Sequence, residues 1–128
     1  MLACSGNAIV MGKHSFLGPI DPQFILQTQL GNRMVPAQAI LDQFEMAKQE
    51  CKDTQNLGSW LPILSQYGPG LLIECKNAIA LSRTLVKEWL TKYMFGGQPK
   101  ASYKASLTAR SLADHKEHKS HGRHLDRD

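Results

Sequence analysis

Residues 71–95, LLIECKNAIALSRTLVKEWLTKYMF, decide how the chain is read. Leu72, Cys75, Ile79, Leu85, Trp89 and Tyr93 follow a broad helical stripe, joined by Leu71, Leu81, Val86, Leu90 and Met94. Burying one such large side chain is worth about 1.5–3 kcal/mol. A lone helix in water gains none of that and still bears the ordering entropy, so the stripe calls for packing on other helices or on a sheet, including one lying outside this chain. Gly96-Gly97 and Pro99 end the helix, and residues 101–114 predict another with a weaker apolar face. Within it, Ser-Leu-Thr-Ala-Arg at residues 106–110 reads as local helix variation with a surface charge, not as a recognition motif.

Working back from that helix, Gly68-Pro69-Gly70 interrupts a short apolar run in which Trp60, Leu61, Leu64 and Tyr67 fall within a few turns. The four aromatics Trp60, Tyr67, Trp89 and Tyr93 read as core or interface material. Further upstream, Ile40, Phe44, Ala47 and Cys51 recur every three or four positions, with Asp42, Gln43, Lys48 and Gln49 pointing elsewhere. This predicts an amphipathic helix with Pro36 in its first turn and Gly58 beyond its polar end. Phe24-Ile25-Leu26 suits an edge strand and Gly31-Asn32 a turn; Ala8-Ile9-Val10-Met11 suits a buried strand, and Ser15-Phe16-Leu17 another short extended piece. Met1-Leu2-Ala3-Cys4 reads as the last turns of a buried helix.

The chain has 128 residues, 42% hydrophobic and 20% charged, with ten glycines and six prolines, which fits one small domain or part of a larger one and excludes a large multidomain enzyme. Fifteen Lys/Arg against eleven Asp/Glu give +4, too modest an excess to name a nucleic-acid partner. Cys4, Cys51 and Cys75 form no close pair, so neither a zinc knuckle nor a disulfide scaffold is indicated, and a reducing compartment is the simpler expectation. No apolar run approaches the length of a membrane span, and no secretory signal opens the chain. Both ends read as cut edges.

The segment Met11-Gly12-Lys13-His14-Ser15-Phe16-Leu17-Gly18-Pro19-Ile20-Asp21-Pro22-Gln23, together with Ala113-Asp114-His115-Lys116-Glu117-His118-Lys119-Ser120-His121-Gly122-Arg123-His124-Leu125-Asp126, resembles the serine dehydrogenase proteinase family, a branch of the Clp-protease-like and crotonase-like serine hydrolases. The resemblance implies an α/β fold. Residues 1–114 would form an incomplete domain of that kind, short strands followed by several packing helices, and residues 115–128 a polar, histidine-rich segment. It also implies a serine peptidase acting on peptide or protein substrates as a homo-oligomer, without cofactor, metal or nucleic acid. The nucleophilic serine would lie before Met1, leaving this chain inactive alone. The setting would be cytoplasmic, or membrane-associated through an upstream segment. The rival reading is a catalytically silent assembly or peptide-binding module.

Around the absent nucleophile, Asp21 and His14 are the candidate supporting groups, orienting a base or moving a proton. Gly12, Gly18, Pro19 and Pro22 shape the loop: the glycines let backbone amides approach a developing oxyanion, and the prolines stiffen the segment carrying Asp21. Each also has a plain structural role, Asp21 as a turn acceptor, His14 as a loop histidine and the glycines as permissive turn positions. Ser5 and Ser15 read as turn hydroxyls rather than nucleophiles. His115, His118, His121 and His124, spaced by three, stand among four acids and four Lys/Arg and read as a solvated or partner-facing segment, with no metal ligand assigned.

Overall fold

The computed structural model describes residues 2–18 and 20–113. The architecture is mixed α/β: β1 (Gln23–Thr28), β2 (Gly31–Pro36), α1 (Ala37–Glu50), α2 (Leu57–Leu64), α3 (Leu71–Lys92) and α4 (Ala101–Leu112), with single 3-10 turns at Leu2–Ser5 and Thr54–Asn56. One compact unit holds the described residues up to Asp21 and from Ala80 onward; the other is Pro22–Ile79. Among the described residues no helix is long and apolar enough to cross a membrane.

In the unit Pro22–Ile79, β1 and β2 pair antiparallel from Gln23↔Pro36 to Thr28↔Gly31. The reversal falls at Gln29-Leu30, two residues earlier than expected, and Gly31 starts β2 at φ +99°, a conformation that costs a side-chain-bearing residue but not glycine. Thr28 Oγ1 accepts from the Leu30 amide and donates to the Gly31 carbonyl, closing the loop. Pro36 sits one position before α1 as its N-cap rather than inside the first turn, and the first helical amide, Ala37 N, donates to Pro22 O at 2.8 Å. That bond satisfies a donor with no partner inside the helix. Ala37, Ile40, Leu71 and Cys75 are buried, with Phe24, Leu26, Val35, Leu41, Tyr67, Leu72 and Ile79 packed against them. Trp60 in α2 is also buried, and its Nε1 donates to Glu50 Oε2 at 2.8 Å, tying α2 to the end of α1.

In the other unit, Cys4, Ile20, Val86, Leu90, Ala105 and Ala109 form a second cluster, flanked by Met94, Phe95 and Leu112. The 3-10 turn at Leu2–Ser5 stands where the end of a helix was expected, and only Cys4 of it is buried. Ala8–Met11 is not a strand: no partner strand reaches it among the described residues, and Val10 is 94% exposed. Apolar, β-branched composition does not make a strand where no neighbouring edge accepts its hydrogen bonds.

Along α3 the buried set also shifts. Leu71, Cys75, Val86 and Leu90 are the buried members, with Ser82 the one buried polar residue, whereas Leu81 and Tyr93 are exposed and Leu85 and Trp89 only half-buried. The seam is therefore the neighbouring row of the stripe. After Lys92 the chain turns at Gly96, where an added Cβ would lie 2.7 Å from the Lys92 carbonyl oxygen.

Ile40 is 1% exposed and Ile25 71%. Ile40→Ala is expected to cost about 2–5 kcal/mol, and Ile25→Ala to stay within about 0.5 kcal/mol. Urea unfolding of the two variants measures the difference.

Candidate functional site

The loop that the resemblance singles out runs through residues 11–21. Lys13 and His14 form an exposed turn. It is closed by Ser15 N donating to Gly12 O at 3.0 Å, while the Gly12 amide donates to Ser15 Oγ at 3.1 Å. The Gly12 amide is thus engaged locally and not presented to a developing oxyanion. A Cβ on Gly12 would meet Ser15 Oγ at 3.2 Å, so the small residue keeps this turn tight, whereas a Cβ on Gly18 would meet nothing within 4 Å. Pro19 lies outside the described residues.

Beyond Gly18 the chain is pinned. Ile20 is 6% exposed, and its amide donates to Leu112 O at 3.0 Å, at the end of α4. Asp21 follows, half-buried, and then Pro22, whose carbonyl accepts the Ala37 amide. The Ile20 anchor thus holds the chain next to Asp21 within its own unit. His14 is placed on the exposed turn and Asp21 on this anchored stretch.

Beside the loop lies an apolar cavity of about 200 Å³, walled by Cys4, Ile9, Leu17, Ile20, Met94 and Leu112, with Gly18 at its side. Small-molecule sites run to about 300–1,000 Å³, so this volume suits one apolar side chain. Sequence reading found the loop and missed the cavity, because its walls come from both ends of the chain. The pattern that hinted at it was Leu17 and Ile20 flanking Gly18.

Ser5 Oγ donates to Leu2 O at 2.8 Å and so serves its own 3-10 turn. Cys4 and Cys75 are buried and free, and burial raises both thiols above the ordinary cysteine value, with Glu74 raising Cys75 further. They are protonated near neutrality and poor nucleophiles. Burial likewise raises the Tyr67 phenol, with Cys75 adding to it, and the Tyr67 hydroxyl donates to Gln43 Oε1. Among the described residues no group of three His, Cys, Asp or Glu side chains could hold a metal. His115, His118, His121 and His124 lie outside the described residues. Comparison with protein-family models, curated proteins and solved structures gives no match to this chain.

The folded protein holds the Cys4 and Cys75 protons more tightly than the unfolded chain does. Their contribution to stability is complete below the unfolded thiol value of about 8.5 and is lost as pH rises through the higher folded-state values. The urea midpoint is expected to fall as pH rises above about 8.5, and Cys75→Ala to flatten part of that fall relative to its own value near neutrality. In native protein, iodoacetamide should modify half-buried Cys51 before Cys4 or Cys75.

Proposed function

We propose that this chain is part of a Clp/crotonase-like serine amide hydrolase of the serine dehydrogenase proteinase kind, in which it supplies the rim and a side-chain pocket rather than the nucleophile. The observation that carries this reading is the anchored segment at Ile20, held by the Leu112 carbonyl beside the 200 Å³ apolar cavity. A peptide whose apolar side chain entered that cavity would have its backbone fixed along the rim carrying Asp21. In the reaction, a serine hydroxyl attacks the amide carbonyl and gives its proton to a base. The C–N bond then breaks as the amine leaves with a proton, and water cleaves the acyl ester. Asp21 is assigned the orienting carboxylate and His14 a proton-transfer role. The serine belongs to a segment preceding Met1, in keeping with Ser5 and Ser15 both being engaged in local turns.

Those same two engaged hydroxyls favour a second reading, a catalytically silent binding module that keeps the pocket without the chemistry. Self-association is part of the first proposal. The cross-strand pair Ile25 and Met34, 71% and 69% exposed, is the apolar surface that a second copy would cover.

Fluorophosphonate labelling with peptide mapping separates the readings. On the product of the complete reading frame, label is expected on a serine preceding Met1, with Asp21→Asn slowing labelling at least about tenfold. The 128-residue chain should carry none on Ser5 or Ser15. Absence of label on both preparations would leave the silent module standing, and label on Ser15 would refute the division of roles. Light scattering on Ile25→Asp should show a smaller assembly than the unaltered chain; an unchanged mass removes the hairpin from the interface.

A further inference from the structure

On the facing sides of α3 and α4, away from the apolar cavity, lies a cleft of about 340 Å³ lined by Arg83, Thr84 and Lys87 from α3 and Ser106, Ala109 and Arg110 from α4. Val86 and Leu90 of α3 are buried in one cluster with Ala105 and Ala109 of α4. Arg83 and Lys87 are four residues apart and share one side of α3, as Ser106 and Arg110 share one side of α4. The cleft therefore sets two cations of α3 and one of α4 around Ala109, which is 2% exposed.

Among the described residues the lining holds three cations, two hydroxyls and no acid. Among the described residues none of the three cations has an ion pair; the one ion pair joins Lys48 to Glu45 on α1, and the side chains of Arg83, Lys87 and Arg110 have no hydrogen-bond partner there. Like charges gathered in one cleft repel one another, and Arg83 with Lys87 at a four-residue step is already unfavourable on a helix. An anion removes that repulsion. Guanidinium forks match tetrahedral oxyanions in bidentate geometry, lysine adds a point charge, and hydroxyls donate to the remaining oxygens. The volume stands at the small end of ligand sites, room for a compact group rather than a polymer.

We propose that this cleft binds a small soluble phosphoryl anion, Arg83 and Arg110 gripping its oxygens from opposite helices and Lys87, Thr84 and Ser106 completing the donor set. The site stands on observations independent of the peptidase reading and shares no residue with the rim.

Titration of the folded chain with inorganic pyrophosphate at fixed ionic strength tests it. Saturable binding is expected, weakened at least about tenfold by Arg83→Gln and by Arg110→Gln and unaffected by Lys48→Gln on α1. If either variant folds poorly, arginine Nε shifts of Arg83 and Arg110 in the unaltered protein give the same answer, since both must move with pyrophosphate and not with chloride. Absence of saturable binding, equal weakening by Lys48→Gln, or retention of oligonucleotides or phosphatidic acid vesicles with no response to pyrophosphate would overturn the proposal.

Discussion

Both units draw on α3, and in each the buried positions of that helix recur at helical spacing. Leu71, Cys75, Ile79, Ser82, Val86 and Leu90 are spaced by four, four, three, four and four, and each is buried or half-buried. That spacing follows the 3.6-residue turn over about 33 Å of helix. The seam serves two clusters in succession: Leu71 and Cys75 pack with the hairpin and α1, and Val86 and Leu90 pack with α4 and the residues before Asp21. The Ser82 side chain, 7% exposed, is the polar point in that seam.

What the sequence disclosed follows from how local each signal is. Helices α1, α3 and α4 were legible because a 3.6-residue period is written into the chain itself, and Gly96-Gly97 marks the exit from α3 without reference to anything distant. Strands lack that independence. Ala8–Met11 has the composition of a strand and no partner edge among the described residues, whereas β2 contains Gly31, Asn32 and Pro36, poor strand formers, and is a strand because β1 lies beside it. The seam of α3 was displaced by one row for a related reason. Trp89 and Tyr93 outweigh Val86 in apolar area, but Val86 is the side chain that fits against Ala105 and Ala109.

At the candidate site the same division holds. The glycine-proline loop and Asp21 could be picked out by composition, since restricted φ angles are local facts. The Ile20–Leu112 hydrogen bond and the cavity walls join residues roughly ninety positions apart in sequence, and no pattern within either segment announces the other. The basic cleft is hidden still more thoroughly. Arg110 within Ser-Leu-Thr-Ala-Arg is an ordinary helical surface charge until the seam sets it against Arg83 and Lys87.

Helix α4 shows how one short segment serves three neighbours. Its pairs at four-residue spacing divide the work: Ala105 and Ala109 lie in the cluster with Val86 and Leu90, Ser106 and Arg110 line the basic cleft, and Thr108 and Leu112 wall the apolar cavity. At 3.6 residues per turn, position 106 points about 100° to one side of 105 and position 108 about 60° to the other. The two alanines thus form the ridge separating a charged recess from an apolar one. Both alanines are buried, so a leucine at either position would overpack the cluster they share with Val86 and Leu90. The charged recess and the apolar one thus lie on the same helix, on either side of its buried alanines.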